Sequence, residues 1–166
     1  MIIKAAQFAS FYHKGQVRKY SNKPYITHPI RVAGRVATHK NATEVMVAAA
    51  YLHDVIEDCN ASYGDIFNYF EEEVADLVLE LTNDKNAVGN RAKRKADQRA
   101  KIQASSYEAK LIKLIDRIDN LGEIPPSGNF AVVYYAKESL LLLNEALVGT
   151  DEELENELRD IVNLIL

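Results

Sequence analysis

Glycine and proline interrupt regular backbone, and this 166-residue chain holds only seven glycines and four prolines, gathered at a few points. Pro24 and Pro29 bracket one loop, Gly64 marks a second, and Pro125, Pro126 and Gly128 mark a third. Between these points apolar residues return every three or four positions, the spacing of one helix face. Ala5, Phe8, Ala9 and Tyr12 suit a first helix. Asn41-Ala-Thr-Glu44 reads as a capping start ahead of Val45, Ala48, Ala49 and Leu52. Ser62-Tyr-Gly-Asp65 opens a short helix, followed by Val74, Leu77, Val78 and Leu81. Leu111, Leu114, Ile115 and Ile118 form another stripe. Tyr134 to Val148 follows, and Leu154, Leu158, Ile161, Leu164 and Ile165 close the chain. No stretch alternates apolar and polar residues between hairpin turns. The expected fold is all-α, a bundle of about seven to nine helices, as one domain over residues 1–166.

A chain of this length buries about 70% of its unfolded surface, so it needs neither a metal nor a disulfide merely to fold. Twenty Lys and Arg against 24 Asp and Glu give a net charge of −4, which argues against a general nucleic-acid binder. The single cysteine, Cys59, excludes an internal disulfide framework and a cysteine-based zinc knuckle. No apolar run approaches the roughly 18 residues of a membrane span. The longest, Leu140–Leu143, is broken at once by Asn144 and Glu145. Lys4 is followed by no apolar core or small-residue cleavage site, so no signal peptide is expected. These features point to a reducing, cytoplasmic setting with neither nucleic acid nor membrane as partner. Nothing in the sequence sets an oligomeric state.

Residues 84–101 carry seven basic side chains and little core material. Such a run reads either as a solvated helix face or as a mobile basic segment rimming a site for an anionic substrate.

The chain contains no GxGxxG, Walker A loop, Gly-x-Ser-x-Gly or HExxH. What it does contain is His53-Asp54-Val-Ile-Glu57-Asp58. On a continuous helix His53 and Glu57 stack on one side, with Asp54 and Asp58 one position round. Acids at a helix C-terminus meet the negative end of its dipole, a cost that a bound divalent cation reverses. Two further residues are candidates to complete such a site. His28 precedes Pro29, which favours extended geometry and places its imidazole in a loop or at a helix start. Asp116 lies at the edge of the apolar arc formed by Leu111, Ile115 and Ile118, where a carboxylate is costly unless paired or metal-bound. Singly, each residue reads more readily as a satisfied structural side chain than as a ligand. Together, two imidazoles and two carboxylates suit Mn²⁺, Fe²⁺, Zn²⁺ or Mg²⁺, with positions left open for water and substrate. His13 and His39 lack such company and are assigned to surface or packing. Cys59, a soft ligand among hard oxygens, is assigned to the core.

Thr27-His28-Pro29, His53-Asp54-x-x-Glu57-Asp58 and Lys113-Leu-Ile-Asp116-x-x-x-Asn120 resemble the HD-type hydrolase domain of the RelA/SpoT family. The segment Gly15-Gln-Val-Arg18-Lys19…Pro24-Tyr25-Ile26-Thr27-His28-Pro29 is similar too, as is Leu81-Thr82-Asn83-Asp84-Lys85. The likeness runs from about residue 4 to 148 and leaves no length for the synthetase or regulatory domains of long members. The chain therefore looks like a stand-alone small alarmone hydrolase. The adjacent Glu-Asp pair is more specific to this family than His-Asp alone.

The resemblance implies one Mn²⁺ held by His28, His53, Asp54 and Asp116. It implies Glu57 and Asp58 as the catalytic pair, handling the protons of the attacking water and the leaving 3′-oxygen. Arg18 would stack on or edge the purine, Lys19 and Asn120 would fix the nucleoside, and Lys85 and Tyr134 would reach the 5′-phosphates. The implied reaction is release of pyrophosphate from the 3′ position of (p)ppGpp, giving GDP or GTP. Gly122 and Glu123 replace the Arg and the small or acidic residue usual in the family. Asp119 stands where an aromatic or His is common. Because that stretch lies against the nucleoside, an adenine alarmone, (pp)pApp, or the 2′-phosphate of NADPH remains as an alternative substrate.

Overall fold

Helical spacing becomes helix throughout a computed structural model of the chain, which describes residues 1–84, 86–125 and 129–166. Among those residues there are nine α-helices of seven residues or more and one further four-residue turn of helix. The extended structure there is an isolated antiparallel bridge between Val17 and Pro24. The chain divides into two compact units, Met1–Val88 and Gly89–Leu166.

The first unit is built around α3 (Glu44–Leu52), whose Met46, Val47, Ala48, Ala49, Ala50 and Leu52 are all buried. A helix apolar on nearly every side must be enclosed, and three consecutive alanines let neighbours approach closely. Those neighbours are α1 (Ile2–Tyr12), α2 (Thr27–Ala37) and α6 (Glu72–Leu81). They contribute Ala5, Phe8 and Ala9, then Val32, Ala33 and Val36, then Val74, Val78 and Leu81. Thr43, not Asn41, caps α3, its Oγ1 accepting from the Met46 N–H at 3.2 Å. Thr43 is the position whose hydroxyl can reach the third helical amide.

After α3 the chain does not continue as one helix. His53 and Asp54 form a turn, and α4 (Val55–Asp58) is a separate helical turn. α5 (Tyr63–Tyr69) opens at the expected place, on a capping box in which Ser62 and Asp65 satisfy one another's backbone amides.

In the second unit α8 (Tyr107–Gly122) supplies the main apolar face, including Leu111, Ile112, Leu114, Ile115, Ile118 and Leu121. α10 (Glu152–Ile165) packs on α8 and on α9 (Phe130–Leu142). The helical pattern from Tyr134 to Val148 is not uniform: residues Leu143–Leu147 form a π-turn, closed by the Val148 N–H on the Leu143 carbonyl. Gly149 then takes φ +86°, a left-handed conformation that glycine adopts without steric cost. The basic run supplies α7 (Arg91–Ala104), capped by Asn90, with Ile102 its buried residue. Arg99 on this helix is held in ion pairs. It is mostly buried, with Nε donating to Glu145 at 2.6 Å and Nη1 donating to Glu138 at 3.1 Å.

Candidate metal centre and catalytic site

His28 sits in the first turn of α2, immediately before Pro29. The extended geometry expected of it is not adopted. The His28 N–H instead donates to the Tyr25 carbonyl, and Pro29, which lacks an N–H, loses nothing in a first turn. The imidazole is fully buried. His53 follows the last residue of α3 and is buried as well, its Nδ1 lying 2.7 Å from the Ala50 carbonyl oxygen. A carbonyl only accepts, so Nδ1 carries a proton and Nε2 is the nitrogen left for a metal. The helix break turns Asp54 toward the same point.

Three donor atoms meet there. His28 Nε2 and His53 Nε2 are 3.2 Å apart, Asp54 Oδ2 is 3.1 Å from His53 Nε2, and Asp54 Oδ2 is 3.6 Å from His28 Nε2. Donors about 2.0–2.2 Å from a common ion lie about 2.8–3.6 Å apart at octahedral or tetrahedral angles, and all three edges fall in that range. Two imidazole nitrogens and a carboxylate oxygen converging so closely are the donor set of a divalent cation.

Tyr25 joins this cluster to its neighbour. Its hydroxyl lies 2.8 Å from Asp54 Oδ2 and 2.8 Å from Asp58 Oδ2, so its one proton is within reach of both carboxylates. Burial, then the charges of Asp54 and Asp58, push the Tyr25 hydroxyl far above its ordinary pKa, so it remains a donor. Asp58 is itself raised, by burial first and by the charge of Asp54 second, while the Tyr25 hydrogen bond works the other way.

Glu57 has a different partner. Asn83 clamps it, with the side-chain amide donating to Oε1 and Oε2 at 3.0 Å each and the Asn83 N–H donating to Oε2 at 3.1 Å. His13 is buried, stacked on Tyr25 at 4.7 Å and hydrogen-bonded to Gln16 at 2.8 Å. It therefore packs behind the cluster, as does the buried Cys59, which accepts from Gln16 at 3.5 Å.

The remaining anticipated residues have these positions. The Arg18 guanidinium lies 5.1 Å from the centre of the Tyr25 ring, next to the cluster, whereas Lys19 lies over Tyr20. Lys85 falls outside the described residues. Asp116 and Asn120 are on α8 in the second unit. Asp116 is buried, accepting from Asn120 Nδ2 at 2.6 Å and paired with Lys113 Nζ at 2.9 Å. Tyr134 is on α9, with the Arg91 guanidinium 4.2 Å from its ring centre. The sequence pattern did not single out Tyr25 or Asn83. Both lie inside segments that carried the family resemblance, and that was the available signal.

A family profile described as HD domain matches residues 5–142, and so extends across both units. The Drosophila melanogaster protein named guanosine-3′,5′-bis(diphosphate) 3′-pyrophosphohydrolase MESH1 is 33% identical, over 96% of this chain and 91% of its own length. The human protein of the same name is 35% identical, over 96% of this chain and 92% of its own. Among solved structures, one described as "A metazoan ortholog of SpoT hydrolyzes ppGpp and plays a role in starvation responses" superposes with a TM-score of 0.84 at 34% identity. It covers 99% of this chain and 96% of that one.

Proposed function

The chain belongs to the HD domain family, and from that premise we propose that it hydrolyses the 3′-diphosphate of (p)ppGpp, releasing pyrophosphate and leaving GDP or GTP. The observation that carries this reading is the convergence of His28 Nε2, His53 Nε2 and Asp54 Oδ2, with Asp58 tethered beside them through Tyr25. A bare nucleotide-binding module has no need of that donor set or of two further carboxylates next to it.

We assign the divalent ion as one Mn²⁺, held by His28, His53 and Asp54 with Asp116 as fourth ligand. The support for Asp116 is the likeness of Lys113-Leu-Ile-Asp116-x-x-x-Asn120 to the family's pattern; its carboxylate is paired with Lys113 and Asn120. When bound, such an ion supplies Lewis-acid polarisation of a phosphoryl oxygen and lowers the pKa of water. Glu57 and Asp58 share the proton handling. One accepts the proton of the water that adds to the 3′-phosphoryl phosphorus, and one returns a proton to the 3′-oxygen as the P–O bond breaks. Asn83 fixes both Glu57 oxygens, so that carboxylate meets its proton in one orientation. Arg18 stands beside Tyr25 and is assigned to the purine. Lys19 and Asn120 are assigned to the nucleoside, and Lys85 and Tyr134 to the 5′-phosphates. A reducing cytoplasm agrees with the one buried thiol, Cys59.

The test is an assay of pyrophosphate and orthophosphate release at fixed Mn²⁺ with ppGpp, pppApp and NADPH side by side. The expected result is release from ppGpp, lost with chelator and in Asp54→Ala. Turnover confined to pppApp, or orthophosphate release from NADPH alone, would replace guanosine as the substrate. No turnover of any of the three would refute the reading.

A further inference from the structure

The hydroxyl of Tyr25 occupies a position that the proposed chemistry leaves unexplained. It contacts the Oδ2 atom of Asp54, the same atom that faces both histidine nitrogens, and it contacts Asp58 Oδ2 at the same 2.8 Å. Two carboxylates one helical turn apart repel, and a donor shared between them opposes that splaying. The Tyr25 side chain is in turn held in place. Its N–H donates to the Gln16 carbonyl at 2.9 Å, and its own carbonyl accepts the His28 N–H at 3.0 Å. The ring is packed on His13, near-parallel at 20°, and lies under Arg18. Gln16 ties this packing to the acid on the other side: its side chain pairs with His13 and donates to the Asp58 carbonyl at 3.1 Å.

We propose that Tyr25 is a positioning residue for hydrolysis, its hydroxyl setting the orientation of the Asp54 ligand oxygen and the separation of Asp54 from Asp58. The proposal rests on Asp54 being a metal ligand and Asp58 handling protons. Hydrogen-bond partners behind metal ligands typically change metal affinity or activity by about 10–100-fold when removed. Tyr25→Phe keeps the ring packed on His13 and Arg18 and removes the hydroxyl alone.

Three quantities are measured on full-length wild type and Tyr25→Phe: the Mn²⁺ dissociation constant by calorimetry, kcat and KM for ppGpp, and the Tm without metal. The expected result is metal affinity or kcat reduced by about tenfold or more, with KM and Tm close to wild type. Metal affinity and kcat both within about twofold of wild type would overturn the proposal, as would an effect confined to KM. A variant that no longer folds would assign the hydroxyl to folding and overturn it equally. The wild-type arm separates this from the underlying reading: wild type that neither binds Mn²⁺ nor releases pyrophosphate refutes both, whereas an active wild type matched by Tyr25→Phe refutes the positioning role alone.

Discussion

Asn83→Ala isolates the orientation of Glu57. In the native protein the Asn83 side-chain amide reaches both carboxylate oxygens at 3.0 Å, and the backbone N–H adds a third bond at 3.1 Å. The substitution removes the amide and keeps the backbone donor. A hydrogen bond to a charged group contributes about 1.5–3 kcal/mol net. Because one bifurcated donor is lost while another remains, the lower part of that range applies, about 1.5–2 kcal/mol. If Glu57 acts in the chemical step, that loss appears in the barrier as a fall in kcat of about 10–30-fold with KM little changed. Steady-state pyrophosphate release from ppGpp, with Mn²⁺ saturating, reads it directly. Mn²⁺ affinity serves as the control and is expected to stay at the wild-type value, since Asn83 touches none of the three clustered donors. A kcat within about twofold of wild type would show that the Glu57 clamp has no part in the reaction.

Two further expectations concern the scaffold. Ala48 is wholly buried on α3, and Ala48→Leu overpacks that core by about 1–3 kcal/mol, lowering Tm by roughly 3–10 °C; an unchanged Tm would mean the core around α3 has space the structure does not show. The hydrogen bonds from the Ser62 hydroxyl and amide hold Asp65 below its ordinary pKa. A depressed folded pKa contributes stability that is complete above the unfolded value of about 3.9 and is lost as pH falls through the lower folded value. The Tm difference between wild type and Asp65→Asn is therefore expected to be constant from about pH 7 to 5 and to narrow as pH falls below about 4, and a gap that does not change with pH would contradict the capping-box assignment.

Local physics made much of this fold legible in advance. A helix advertises itself through spacing, and the Ser62…Asp65 box depends on four adjacent residues, so both could be read without tertiary information. The errors fall where a distant contact or a backbone detail decides. His53 and Glu57 look like neighbours on one helix, yet the chain breaks at His53-Asp54, which turns the Asp54 oxygen toward the two imidazoles. The π-turn at Leu143–Leu147 has the same apolar spacing as the helix it follows. Among the candidate residues, the clustering of His28, His53 and Asp54 was legible because metal donors are chemically conspicuous. Tyr25 and Asn83 were not, because their partners lie 29, 33 and 26 positions away and a tyrosine or asparagine in a loop carries no mark of what it bonds. The basic run was ambiguous for a different reason: charge alone does not separate Arg99, held between Glu138 and Glu145, from solvated residues on the same helix.

Binding of a divalent ion by His28, His53 and Asp54 is tested most directly by titrating the metal-free protein with Mn²⁺ and following the paramagnetic resonance of the free ion. One tightly held ion per wild-type chain is expected, with affinity weakened by at least about 100-fold in Asp54→Ala, since removing a ligand exceeds the loss of a partner behind it. Equal binding by the two proteins, or none by either, would contradict it.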